Sequence, residues 1–334
     1  MVIAELIQKV ASGQDLSSEE AHSAMSEIMT GQATPAQIAG FLVAMRMKGE
    51  TVEELTEFAR VMREHVVRVH PQRRPVVDTC GTGGDAIKTF NVSTGAALVA
   101  AGAGVAVAKH GNRSVTSKCG SADVLEALGI RFDLGPEEVA KCIDEIGLGF
   151  MFAPSYHPAM KHAAPVRREL AMRTMFNALG PLTNPAGAEA QVLGVYAPEL
   201  TETHAQVLRN LGSTRAFVVH GVGGLDEIST LGETQVTEVR DGEVSTYQLT
   251  PEDLGLPRAR PEDIAGSTPE ENAALLIGVL EGETGPARDI MALNAAAAIA
   301  AGGKAETLQE ALSMANESIA SGAALGKLRQ LQAF

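Results

Sequence analysis

Three glycines and an acid in five residues, Gly81-Thr82-Gly83-Gly84-Asp85, are the strongest chemical signal in this chain. They follow the apolar run Pro75-Val76-Val77-Asp78, which reads as a buried strand. They precede Asn91-Val92-Ser93-Thr94, which opens an Ala- and Gly-rich helical pattern. Glycines let backbone N–H groups turn toward a ligand and let it come close. A helix start adds unpaired donors and partial positive charge. The polar groups Lys88, Thr89, Asn91, Ser93 and Thr94 crowd the same stretch, which suits a sugar phosphate with a metal better than a bare phosphate. The loop matches neither G-x-G-x-x-G nor G-x-x-x-x-G-K-[ST]. Taken alone, it is equally an ordinary tight strand-to-helix turn.

A second segment shifts that balance. Lys109 to Lys118 holds Lys109, His110, Arg113 and Lys118 and no acid, in a chain of formal net charge −14. A strand ending in a basic loop beside a glycine loop is where parallel α/β sheets bind ligands. The hydroxyls of Ser114, Thr116 and Ser117 donate to phosphate without bulk; the alternative is a solvated basic loop. Ser121, in Gly120-Ser121-Ala122-Asp123, is a natural N-cap for the next helix and can serve phosphate as well. Asp226-Glu227 follows an apolar run and a glycine-rich loop. Adjacent acids are often only a surface turn, yet Mg2+ bridging a diphosphate needs a few carboxylate oxygens at that edge. His157 and Arg167 could line a cleft if their segment runs along it, Arg167 offering a planar fork to a carboxylate. Arg168 is expected in a surface salt bridge. His22, His65, His70, His204 and His220 are expected to be structural or on the surface. No H-E-x-x-H, G-x-S-x-G or Cys/His nucleophile pattern is present, so the residues offer binding and electrostatics rather than covalent catalysis.

Composition bounds the setting. The chain has 334 residues, 45% hydrophobic, enough for a sizeable core. The acidic balance argues against nucleic acid as a partner. No leader pattern and no membrane-spanning run is expected. Cys80, Cys119 and Cys142 are odd in number and far apart, which fits a reduced cytoplasm and no disulfide framework.

The elements that must hold these residues are well punctuated. Ile3, Leu6, Ile7 and Val10 make a helical stripe ended by Gly13. Ser17 with Glu20, Thr34 with Gln37 and Thr51 with Glu54 mark three further helix starts, the second with Pro35 in its first turn. Beyond Pro75, strands are predicted at 76–78, 105–108, 149–153, 191–196 and 216–220. Helices are predicted at 92–102, 121–128, 136–146, 200–211, 270–281, 285–302 and 306–321, with a hairpin over 235–249 about Asp241-Gly242. The alternation predicts an α/β domain with a mostly parallel sheet. Residues 155–190 break it: an Arg- and Met-rich helix runs into Gly180-Pro181-Leu182-Thr183-Asn184-Pro185. That segment is expected to return to the helical bundle and to face the glycine loop. The division expected is a helical domain at 1–70, completed by about 165–190, and an α/β domain at 75–164 and 191–334.

These segments together resemble the anthranilate phosphoribosyltransferases of tryptophan biosynthesis over essentially the whole chain. The matching stretches are GTGGD at 81–85, NVST at 91–94, KHGNR at 109–113, GSADVLEALG at 120–129, HPAM at 157–160, VRRELAMRTMFNALGPLTNPA at 166–186, and Asp226-Glu227. The resemblance implies a helical bundle plus an α/β domain, and a homodimer formed through the helical parts. It implies transfer of phosphoribosyl from 5-phosphoribosyl 1-pyrophosphate to the amine of anthranilate, with Mg2+. By position, Gly81, Gly84, Asp85, Thr89, Asn91, Val92, Ser93, Thr94, Lys109, His110, Gly111, Asn112, Arg113, Ser114, Val115, Thr116, Ser117 and Ser121 would hold the phosphoribosyl pyrophosphate. Ser93, Asp226 and Glu227 would hold Mg2+. Gly81, Asn112 and Arg167 would hold anthranilate, with His110 and His157 lining its path. Cys119 and Ala171 depart from the Ser and Gly common in relatives. A pyrimidine nucleoside phosphorylase of the same architecture is the competing reading, against which the acidic pair and KHGNR count. A nucleic-acid-binding paralogue would need a basic cleft, and a purely structural dimeric module leaves the polar loops unexplained.

Overall fold

The computed structural model describes residues 3–84, 87–114 and 119–334. Four helices come first: α1 (Ile3–Ala11), α2 (Ser18–Met29), α3 (Pro35–Lys48) and α4 (Val52–Glu64). All three expected capping boxes form, at Ser17, Thr34 and Thr51. The third does more than cap. Glu54 is fully buried; its carboxylate accepts from Thr51 N (2.8 Å), from Leu16 N ahead of α2 (2.8 Å) and from Lys48 Nζ at the end of α3 (2.9 Å). One side chain thus ties three helices together.

The α/β part then runs β1 (Val76–Gly81), α5 (Val92–Gly102), β2 (Ala106–Gly111), α6 (Ser121–Ala127), α7 (Pro136–Lys141) and β3 (Leu148–Phe152). The short helices α8 (Ala153–Tyr156), α9 (Ala164–Leu170) and α10 (Met175–Leu179) precede β4 (Ala190–Gly194), α11 (Glu199–Asn210), β5 (Arg215–Gly221), β6 (Thr234–Arg240) and β7 (Glu243–Leu249). The chain closes with α12 (Pro269–Leu280), α13 (Pro286–Ala301), α14 (Leu308–Ala320) and α15 (Ala323–Ala333).

The seven strands form one sheet in the order β3-β2-β1-β4-β5-β6-β7. The first five are parallel; β6 and β7 are the expected antiparallel hairpin. Strand order reverses between β1 and β4, where Gly81 pairs with Gly194. That reversal is the topological switch point, outside which ligands bind in such sheets.

Two apolar clusters cover the two sheet faces. One packs α5 to α7 and α12 to α15 around residues such as Val77, Val107 and Phe217. The other is the core of the helical bundle itself. It continues through Ala163, Val166, Met175, Phe176 and Leu179 onto α11 and the sheet residues Leu193, Val195, Ala216 and Val218. The segment after residue 155 therefore does return to the bundle.

Three expectations are corrected. The Arg- and Met-rich helix is two helices, broken where Ala171 takes a left-handed φ of 49°. The helix over 136–146 finishes in a π-turn at Cys142–Ile146. Helix α15 was not anticipated; its Gly322 cap and sparse apolar stripe give little periodic signal.

Candidate active site

Helix α5 starts at Asn91, which takes a left-handed φ of 65°. That twist presents Ser93 to β2 and to the loop after β5. Lys109, on β2, is almost fully buried. Its ammonium donates to the Thr79 carbonyl and reaches Ser93 Oγ (3.2 Å). Ser93 N in turn donates to Glu227 Oε1 (3.2 Å). Asp226 Oδ2 accepts from Gly83 N in the glycine loop (3.0 Å). The expected acidic pair therefore lies at the switch point, and not on a distant surface turn.

Glycine makes that approach possible. A Cβ on Gly81 would collide with the Asp226 carboxylate, and one on Gly194 with the Asp226 backbone. Gly194 is a site-shaping residue that sequence reasoning missed; its pairing with Gly81 appears only in the register of two distant strands.

Burial lowers the Lys109 pKa, while the charges of Asp78, Cys80, Glu227 and Asp226 pull the other way. Burial raises the carboxyl of Asp78, which is wholly enclosed beneath the site. It accepts from Asn184 Nδ2 (2.7 Å) and His110 N (3.1 Å). Burial likewise raises the thiol of Cys80. These three groups form a buried polar floor that sequence reasoning did not find, because nothing in spacing links Asp78 to Asn184.

Ser93, Asp226 and Glu227 suit a hard dication. The donors are carboxylate and hydroxyl oxygens, and the Gly81 cradle leaves the Asp226 carboxylate room. Among the described residues no three His, Cys, Asp or Glu side chains converge as a metal cage. A magnesium ion does not require one, because it keeps waters and shares substrate phosphates.

The opposite face of β2 carries His110, whose Nε2 lies 3.2 Å from His157 Nε2. Burial holds His110 down to about 3 and His157 to about 4, so both rings are neutral near pH 7. One must donate and the other accept. Arg167, on α9, is half-buried, with its guanidinium 5.3 Å over the Phe176 ring. Burial lowers its pKa, and no ion pair satisfies it among the described residues. Arg168 is exposed and, contrary to expectation, has no ion pair among the described residues. No hydrogen bond or ring contact joins Arg167 to Asn112, His110 or His157 among the described residues.

Other expected site residues sit as follows. Val92 is fully buried in the core, so only its backbone can face a ligand. Thr94 is buried and its Oγ1 has no partner; it lines a cavity of about 20 Å³ between α5 and β3 with the Lys109 stem and leucines. Thr89 bridges to Ala265. Asn91 Oδ1 accepts from Asn272 Nδ2 (2.9 Å), a contact from α12 that the sequence did not suggest. Ser121 is not the N-cap: Gly120 is, and Asp123 accepts from Gly120 N (2.8 Å). Ser121 Oγ instead accepts from Asn112 N (3.2 Å), beside Gly111. Asn112 Oδ1 accepts from Arg113 N (2.7 Å). Arg113 pairs with Asp123 and Glu126 at 2.7 and 2.9 Å and covers Phe132. Ser114 N donates to Asp123 (3.0 Å). Asp85, Val115, Thr116, Ser117 and Lys118 lie outside the described residues.

Two family models match. Residues 73–325 fit the glycosyl transferase family a/b domain, and 4–66 its helical bundle domain. An anthranilate phosphoribosyltransferase of Symbiobacterium thermophilum is 59% identical over 98% of this chain and 96% of its own length. The chain belongs to the anthranilate phosphoribosyltransferase family.

The fold agrees with those of solved family members. The anthranilate phosphoribosyltransferase of Thermus thermophilus superposes with a TM-score of 0.93 at 49% identity, covering 98% of each chain. That of Saccharomyces cerevisiae, solved with PRPP and Mg, gives 0.89 at 32% identity, covering 98% of this chain and 96% of that one. The yeast enzyme has also been solved with 4-fluoroanthranilate. Membership in this family disfavours the nucleoside phosphorylase reading. Among the described residues no helix is long and apolar enough to cross a membrane.

Proposed function

We propose that this chain transfers the phosphoribosyl group of 5-phosphoribosyl 1-pyrophosphate to the amine of anthranilate, releasing pyrophosphate, in tryptophan biosynthesis. One observation carries the reading: Lys109, Ser93, Glu227, Asp226 and the glycine loop meet at the switch point of the sheet. The glycine loop after β1 and the start of α5 form the seat of the sugar diphosphate. Lys109 lies where the leaving diphosphate gains negative charge and donates to it there. Ser93, Asp226 and Glu227 hold Mg2+, which when bound neutralises the departing diphosphate.

Anthranilate lies on the Arg167 side. A half-buried guanidinium without a carboxylate partner is suited to a charge-assisted contact with the substrate's carboxylate. His110 and His157 stay neutral and line the path of the aryl amine. An aryl amine attacks without a strong base, so holding it beside the ribose C1 supplies most of the remaining help by proximity. Gly81, Gly84, Thr89, Asn91, Lys109, Gly111 and Ser121 serve the phosphoribosyl pyrophosphate. Arg113 serves as a brace for the 111–114 loop through its ion pairs with α6.

The helical domain comprises 1–70 completed by about 165–190, and the remainder forms the phosphoribosyl pyrophosphate domain. The chain works as a cytoplasmic homodimer paired through the helical part. The 83% exposure of Met47 on α3 supports an apolar contact there, and the three free cysteines support a reducing compartment. Calorimetric titration with phosphoribosyl pyrophosphate and Mg2+ tests the reading. Binding that disappears in Asp226→Asn with Glu227→Gln is expected; undiminished binding would contradict the metal assignment.

A further inference from the structure

The glycine loop is held at three successive residues. Thr82 N donates to Gly194 O (2.9 Å), and Thr82 Oγ1 accepts from Tyr196 N (3.2 Å). Gly83 N donates to Asp226. The Gly84 carbonyl is held from elsewhere: it accepts from Arg173 Nη2 (2.9 Å). Arg173 lies in the turn between α9 and α10. Its neighbours Val166, Met175 and Phe176 are anchored in the bundle core, and Thr174 N is capped by Asn177 Oδ1 (3.0 Å). The guanidinium is stacked 3.9 Å from the centre of the Tyr196 ring, in the segment that leaves β4. No carboxylate pairs with Arg173 among the described residues.

We propose that Arg173 is a positioning residue for the diphosphate substrate: from the helical side, it fixes the glycine loop in its binding conformation. The inference rests on the function proposed above. Gly83 and Gly84 both have positive φ, 68° and 83°. Two such residues in a row leave the loop many conformations. Holding the Gly84 carbonyl on Arg173 fixes the peptide at the end of the loop, as Gly194, Tyr196 and Asp226 fix Thr82 and Gly83. A planar guanidinium can donate in its plane and stack on an aromatic face at once; an ammonium cannot do both. Glycine at 84 follows from its left-handed φ of 83°, and the absence of a Cβ also leaves the guanidinium room to approach. Because Arg173 is carried by the bundle and Gly84 by the sheet, the latch links the anthranilate side of the cleft to the diphosphate side.

The test is titration calorimetry with phosphoribosyl pyrophosphate and Mg2+, with KM for each substrate measured beside it. Arg173→Ala is expected to weaken diphosphate binding on the order of tenfold, the loss of one charge-assisted hydrogen bond. The anthranilate KM should move by less than about threefold, a split that a general loss of structure would not produce. Arg173→Lys should recover part of the loss. Tyr196→Leu should weaken binding in the same direction and add little in the Arg173→Ala background, since the two act as one unit. Wild-type binding and KM in Arg173→Ala would overturn the latch. Should Arg173→Ala not fold, wild-type binding in Tyr196→Leu would overturn it equally. No heat from the wild-type chain would instead overturn the functional reading and the latch together.

Discussion

Lys109 and His110 are neighbours in β2, yet they serve opposite sides of the molecule. A strand sends successive side chains to opposite faces, so Lys109 meets Ser93 while His110 meets His157. Their neighbours then set different chemistry. Burial lowers the Lys109 pKa against the opposing pull of nearby acids, whereas His110 is buried against another imidazole and remains neutral. At this scale the acidic pair gives one prediction: Asp226→Asn with Glu227→Gln abolishes turnover but keeps the circular dichroism and melting of the wild type. Residual Mg2+-dependent turnover near wild type would remove these acids from the metal site. Arg167→Ala should raise KM for anthranilate by about 10- to 100-fold, as expected for a lost charged contact, and affect phosphoribosyl pyrophosphate far less. Equal losses would show that Arg167 is not the carboxylate partner. His204, fully buried in α11, is held down to about 4 by burial. The unfolded chain therefore binds the extra proton between about pH 6.5 and 4. Stability is whole above that window and falls as pH drops through it. His204→Gln should flatten this slope by close to one proton in denaturant titrations taken from pH 7 to 4.

Three of the four bundle helices were legible because each begins with a capping box whose two residues lie three apart, inside the window over which local hydrogen bonds act, and α1 from its apolar stripe. The parallel strands were legible as apolar runs, and the Asp226-Glu227 edge as acids following a glycine-rich loop. What stayed hidden depends on contacts across long separations. Gly194 opposite Gly81, Asn184 beneath Asp78 and Arg173 against Gly84 have no local signature. The break at Ala171 was hidden for another reason: an alanine in a helical pattern gives no sign of a left-handed turn. Two predictions belong here. Left-handed backbone costs an L-residue about 1–2 kcal/mol, and glycine's greater freedom in the unfolded chain costs about 0.4–1 kcal/mol. Ala171→Gly should therefore stabilise the protein by roughly 0.5 kcal/mol net, read as a higher urea midpoint. Glu54→Ala leaves Lys48, whose side chain is only 5% exposed, without its buried partner. Lys48 keeps Asp15, 2.7 Å away, so the expected cost is about 1–3 kcal/mol, from the Thr51 and Leu16 N–H groups left without their acceptor. A loss below about 1 kcal/mol would mean that the three-helix tie is dispensable.

The helical bundle and the sheet are joined through one of the two apolar clusters. The bundle's interior runs without a gap onto one sheet face through α9 to α11. The Arg167 side of the cleft is thereby set against the diphosphate side, carried by β1, β2 and the loop after β5. In the proposed function this arrangement would give the two substrates separate seats with the ribose C1 between them. If the chain pairs through the bundle as proposed, sedimentation should give about twice the 34.8 kDa chain mass. The most direct test of the central claim is to mix the purified chain with anthranilate, phosphoribosyl pyrophosphate and Mg2+ and to follow anthranilate fluorescence. The signal should fall steadily with release of pyrophosphate, an effect abolished by EDTA and restored by added Mg2+. A folded chain that leaves the fluorescence unchanged under these conditions would contradict it.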